Sequence, residues 1–110
     1  MEFNFCEFNR ARAVEHIFLS AHLDDVVLSC GGLILRLSDL GQAAIVVTIF
    51  AGRPSMERPL PPLAQSFHAR WDNPEDVLAT RRAEDIAAVA AVGGRALHLD
   101  FEDSIYRGTR

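Results

Sequence analysis

A chain of 110 residues is enough for one compact domain and too short for two. It is 49% hydrophobic and 24% charged, ordinary for a globular protein, and its formal net charge of −4 gives no electrostatic reason to expect nucleic acid as a partner. All 11 basic residues are arginine, so any mechanism that needs a lysine is excluded.

The chain opens Met1-Glu2-Phe3-Asn4-Phe5-Cys6-Glu7, acidic where a signal peptide is basic, and its apolar stretches fall far short of membrane-spanning length. The expectation is a cytoplasmic protein with no membrane span. Cys6 and Cys30 lack the spacing of a redox or metal pair and read as free thiols of a reducing compartment. Residues 1–13 show no period and read as an irregular lead-in.

Residues 15–20 then predict a short buried strand. A polar turn, Ala21-His22-Leu23-Asp24-Asp25, follows it. From 26 to 40 apolar residues recur at helical spacing (Val26, Cys30, Leu33, Leu37, Leu40), and Gly41 supplies the stop. Gly31 and Gly32 weaken this helix by about 1 kcal/mol each and suggest close packing against the sheet or a ligand. Residues 43–50 form a near-continuous apolar run, typical of a strand buried on both faces of a parallel sheet.

Residues 51–73 break this regularity with five prolines and glycines between 52 and 62, and read as a long loop, a candidate lid or specificity loop. Asn73-Pro74-Glu75-Asp76 carries helix-start signals: an N-cap, a proline at the first position, and acids at the positive end. That helix runs through Leu78, Arg82, Ile86 and Val89 to Gly93-Gly94, and residues 95–100 predict a third strand. The order strand, helix, strand, loop, helix, strand gives two right-handed βαβ crossovers: an α/β fold, Rossmann-like and three-layered, with a parallel sheet.

Ligands of open parallel sheets bind beyond the carboxyl ends of the strands, where His22, Asp24 and Asp25 fall. One imidazole and two carboxylates within four residues can divide labour, His22 and one aspartate holding a metal while the other aspartate moves a proton. The competing reading is that the aspartates only cap the helix behind them. That reading explains neither the pair nor the histidine.

The segment Ser20-Ala21-His22-Leu23-Asp24-Asp25, followed by Gly31-Gly32, resembles the signature of the LmbE-like, or PIG-L, family of N-acetylglucosaminyl deacetylases. Three further matches come in order: Val47-Thr48-Ile49-Phe50-Ala51-Gly52, Arg81-Arg82-Ala83-Glu84 leading to Val92-Gly93, and Asp103-Ser104. The resemblance covers residues 15 onward and only about the first half of a family domain. It implies that His22 and Asp25 are zinc ligands, that Asp24 is the general base, and that Arg81 and Asp103 hold an N-acetylated sugar conjugate. From residue chemistry alone, Arg81 is equally suited to an ion pair with Glu84 or Asp85, and Asp103 to a turn. Iron(II) is as acceptable as Zn2+ to such a ligand set.

Leu23 and Val26 depart from the family's proline and glutamate. The family's third metal ligand, a histidine in a later His-x-Asp-His segment, has no match here. Of the other histidines, His16 and His98 read as structural and His68 as solvated in the loop. Two expectations follow: weak metal binding with impaired turnover, and self-association or a partner that completes the domain. A non-catalytic, sugar- or subunit-binding remnant of the same fold is the alternative. A receiver domain or a P-loop would need the absent lysine, and a dinucleotide-binding module would need a Gly-x-Gly-x-x-Gly turn in place of His-Leu-Asp-Asp.

Overall fold

The computed structural model describes residues 15–54, 59–71 and 76–107. Three strands, β1 (Glu15–Ser20), β2 (Ala43–Thr48) and β3 (Arg95–His98), form a parallel sheet in the order β1-β2-β3. Helix α1 (Asp25–Asp39) crosses from β1 to β2, and helices α2 (Pro62–Arg70) and α3 (Val77–Ala91) lie between β2 and β3. A last turn of helix, α4 (Ser104–Arg107), follows the sheet. The two βαβ crossovers are therefore as expected. The irregular lead-in, Cys6 and the Asn73-Pro74 cap lie outside the described residues.

Because the strands add in sequence order with crossovers of one hand, α1 and α3 lie on the same face of the sheet. The register aligns Phe18, Val46 and Ala96 across the strands. Those residues pack with Val26, Ile34, Cys30 and Val89 into one core. The buried stripe of α1 is Val26, Ile34 and Leu37, with Cys30 half-buried; Leu33 and Leu40, expected in that stripe, are exposed. A methyl group at Gly31 would meet only ordinary contacts and Gly32 faces open space, so nothing in the structure explains this glycine pair.

The opposite face of the sheet carries Ile17 and Leu19, 69% and 72% exposed, beside half-buried Ile45 and Val47 and Leu97 at 52%. Of the three layers expected, the described residues provide two. Apolar strand residues of this kind ordinarily lie under a second helical layer.

The expectation of an unbroken loop over 51–73 is corrected: nine of its residues form α2. The prolines sit where a helix tolerates them, Pro61 at the N-cap and Pro62 in the first turn, and residues 63–70 contain no breaker. Helix α3 is capped by Asp76, whose side chain accepts from the Ala79 amide at 3.0 Å. Its buried residues are Val77, Leu78, Asp85 and Val89, while Ile86 is exposed.

Beyond the strand ends the chain is held by two isolated bridges, Phe50 with Asp100 and Gly52 with Glu102. Gly52 donates its amide to the Phe101 carbonyl at 2.9 Å, and a Cβ at this position would stand 2.3 Å from the Asp100 carbonyl oxygen. Only a residue without a side chain permits that approach. The closure fixes where the segment after β3 leaves the sheet, and Asp103 is on that segment.

Candidate active site

The turn after β1 places His22, Asp24 and Asp25 at the carboxyl edge of the sheet, as expected for a parallel fold. Asp24 has φ 73°, the only non-glycine residue among those described with a positive φ. For a residue with a side chain this left-handed backbone costs on the order of 1–3 kcal/mol and persists only where the surroundings enforce it. The enforcing group is Asp85 of α3, which is 1% exposed and whose Oδ1 accepts the Asp24 amide at 3.0 Å. Its other oxygen lies 2.7 Å from Nε2 of buried His98 on β3. The ring is held in turn by Arg82, whose Nε donates to His98 Nδ1 at 3.3 Å.

This arrangement leaves the Asp24 and Asp25 side chains free of the helix end. Asp24 occupies the N-cap position yet makes no side-chain cap, and Asp25 Oδ2 accepts the His22 amide at 3.2 Å. Simple capping is therefore not the role of the pair, although an acid in the first turn still suits the helix dipole. His22 Nδ1 lies 3.6 Å from Asp25 Oδ2, with both side chains about half-exposed. On the other side of the ring, Nε2 lies 2.9 Å from Asp103 Oδ2.

That donor set can be tested against zinc chemistry. Two ligand atoms on a tetrahedral zinc, each about 2.0–2.1 Å from the metal, stand roughly 3.3 Å apart. The 3.6 Å between His22 Nδ1 and Asp25 Oδ2 is close to this spacing. An Nε2–H donated to Asp103 fixes the tautomer and leaves the Nδ1 lone pair toward Asp25, the carboxylate–histidine arrangement common around bound metals. The pair fits half of a zinc site. Among the described residues no group of three or more His, Cys, Asp or Glu side chains converges as a full cage.

Asp24 Oδ2 lies 3.7 Å from the Arg81 guanidinium. Burial raises the Asp24 carboxyl above the ordinary aspartate range; Arg81 opposes that shift, while Asp85, Glu84 and Asp25 reinforce it. Arg81 itself lies over the Trp71 ring, 4.3 Å from its centre, and its ion pair crosses to the turn after β1 instead of running along its own helix. Asp103 takes the turn role weighed for it, its Oδ1 accepting the Ile105 amide at 2.9 Å, while its Oδ2 meets His22.

Beside these groups opens a cleft of about 350 Å³ lined by Phe50, Phe67, Trp71, Arg81, Asp103 and Tyr106 among others. His68 is not simply solvated: it is half-buried and its Nε2 pairs with the hydroxyl of the lining residue Tyr106 at 2.6 Å. Burial lowers the His68 pKa, which favours the neutral ring as partner. Neither Tyr106 nor the buried Asp85 and His98 network was singled out from sequence. Arg82-x-x-Asp85 at helical spacing was the one available signal.

The chain belongs to the family described as PIG-L: GlcNAc-PI de-N-acetylase, whose model matches residues 17–110. It is 31% identical over 102 residues to the 2'-N-acetylparomamine deacetylase of Niallia circulans, an alignment covering 83% of this chain and 37% of that protein. It is 41% identical to the solved A40926 pseudoaglycone deacetylase Dbv21, with a TM-score of 0.74 over 88% of this chain and 39% of that one. Teicoplanin deacetylase Orf2, solved in a zinc-inhibited form, shares 37% identity and a TM-score of 0.79, over 86% of this chain and 36% of that one. The chain thus spans well under half the length of these relatives. Among the described residues no helix is long and apolar enough to cross a membrane.

The buried phenol gives a direct check on this wall of the cleft. Burial and the nearby Asp103 charge, against an opposing Arg81, push the Tyr106 pKa up to about 12. It is the only tyrosine in the chain, so the change in absorbance at 295 nm with rising pH reports its ionisation alone. The phenol should stay protonated through pH 11. Because the unfolded chain ionises near pH 10, stability should be intact below that point and fall as pH rises from about 10 to 12. A midpoint near 10 in the folded protein would show the hydroxyl to be open to water.

Proposed function

We propose that this chain supplies the amino-terminal part of a metal-dependent N-deacetylase site acting on an amino-sugar conjugate, with His22 and Asp25 holding the metal and Asp24 as general base. The observation that carries this reading is the placement of His22 Nδ1 and Asp25 Oδ2 at 3.6 Å, with Asp24 turned away toward Arg81. Family membership supports the reaction class, and the zinc-inhibited relative supports a metal-responsive site.

A bound Zn2+, or Fe2+, supplies Lewis acidity toward water and an amide carbonyl. The chain's own groups do the rest. Asp24 carries a carboxylate whose raised pKa suits proton acceptance, and the Asp85 hydrogen bond to its amide fixes the direction of its side chain. Asp103 orients the His22 ring. Arg81, braced on Trp71, offers a guanidinium edge to sugar hydroxyls beside the reacting amide. The products are acetate and a sugar amine.

A second reading has an observation of its own: no three-ligand cluster is present among the described residues. On that reading the chain holds metal or sugar without turnover. Metal analysis followed by acetate release from N-acetylglucosamine conjugates separates the two. The deacetylase reading expects one zinc per chain, lost in His22→Ala and in Asp25→Ala. It also expects acetate release that falls by roughly 10²–10⁴ in Asp24→Asn while zinc is kept. Zinc retention with no acetate release from the unsubstituted chain would favour the remnant, and absence of zinc would sink the deacetylase reading.

The exposed Ile17, Leu19 and Leu97 face leads to a proposal about partners. The relatives are more than twice as long as the aligned region, and the apolar face needs a cover. The remaining part of the family fold packs there, from the same or another polypeptide. Residues 1–110 alone should elute in size-exclusion chromatography as an associated or aggregated species. A stable, soluble monomer would contradict this.

A further inference from the structure

The last paired row of the sheet is Ser20, Thr48 and His98, one residue from each strand. Ser20 and Thr48 are fully buried, and the His98 side chain is 6% exposed. Two of the three hold the turn after β1. Ser20 Oγ donates to the His22 carbonyl at 2.6 Å. His98 reaches Asp24 through Asp85, whose two oxygens are divided between the His98 ring and the Asp24 amide. Thr48 Oγ1 has no hydrogen-bond partner among the described residues.

The partners of His98 decide where its ring proton sits. An arginine Nε–H can only donate, so Arg82 requires a bare Nδ1. The proton is then on Nε2, 2.7 Å from Asp85 Oδ2, and is donated to it. The other end of Arg82 is anchored as well, with Nη2 3.6 Å from Asp100 Oδ1. Without the ring donor, Asp85 Oδ2 would be buried and unpaired, a cost the carboxylate can relieve only by turning away or by taking up a proton. Either change weakens the charge-assisted bond to the Asp24 amide. The left-handed backbone of Asp24, unfavourable for a residue with a side chain, is then free to relax.

We infer that His98 is a positioning residue for Asp24: its Nε2–H, kept on that nitrogen by Arg82, holds Asp85 against the Asp24 amide and so keeps the Asp24 carboxylate off the helix end. The inference rests on the proposed role of Asp24 as general base. His98 itself takes no part in proton transfer. A purely structural tie between α3 and β3 would need the bulk of the ring but not a donor at Nε2.

Three variants and the unsubstituted chain separate these accounts. His98→Leu keeps bulk and loses the donor, whereas His98→Gln sets a side-chain N–H near the Nε2 position. Thr48→Val, in the same row, removes a hydroxyl that holds nothing among the described residues and controls for packing. Each chain is loaded with zinc and followed by NMR, amide hydrogen exchange and acetate release. In the unsubstituted chain, long-range proton–nitrogen spectra should find the His98 proton on Nε2 with Nδ1 bare. His98→Leu should keep its zinc and speed exchange at the Asp24 amide by about tenfold or more. It should also lower kcat by roughly 10–10² with KM unchanged. His98→Gln should restore both, and Thr48→Val should alter neither. A proton on His98 Nδ1 would overturn the inference even if no variant folds. So would an Asp24 amide that His98→Leu leaves unchanged, or that Thr48→Val disturbs as much. The amide readings decide the inference whether or not acetate is released; absence of acetate release from the unsubstituted chain bears on the deacetylase reading alone.

Discussion

The amide of Asp24 donates to the buried carboxylate of Asp85, and through this hydrogen bond helix α3 governs the turn after β1. A carboxylate that is 1% exposed is stable only when its oxygens are occupied, here by the Asp24 amide and the His98 ring. In return it holds Asp24 at φ 73°. Without that backbone Asp24 could swing onto the first turn of α1 and cap it, as aspartates ordinarily do. The helix would gain a cap, and the proposed site would lose its free carboxylate.

The fold delivers the other groups by equally local means. Asp25 enters at the start of α1 and stays beside His22 through the His22 amide. Asp103 comes from the far end of the sheet, and its position depends on the close approach of Gly52 to the segment after β3. The imidazole thus sits between a carboxylate from its own turn and one from beyond β3. One face of the sheet is devoted to α1 and α3, which carry the core and the buried network. The opposite face, with Ile17, Leu19 and Leu97, is the part of the fold that these helices do not reach.

Much of this was legible in the residues. The strands and the crossovers follow from apolar runs of the right length, and the His22, Asp24, Asp25 cluster stands out because chemistry-bearing side chains crowd one turn. Helix α2 was not legible, because its prolines read as breakers until the helix start falls among them. On α3 Ile86 is exposed while Asp85 is buried, since a charged residue goes inside when specific partners await it. Those partners, His98 and the Asp24 amide, lie 13 and 61 residues away in sequence, beyond any local pattern. The pairing of Tyr106 with His68 was not legible for the same reason, the two being 38 residues apart.

The claim that matters most is that His22 offers Nδ1 to a cation shared with Asp25. Long-range proton–nitrogen NMR correlations of the imidazoles, recorded while Zn2+ is added, observe that atom directly. The account expects the Nδ1 resonance of His22 to move with zinc while Nε2 stays protonated toward Asp103, and His16, His68 and His98 to remain unchanged. Zinc that leaves His22 untouched, or that shifts another histidine in its place, would contradict it.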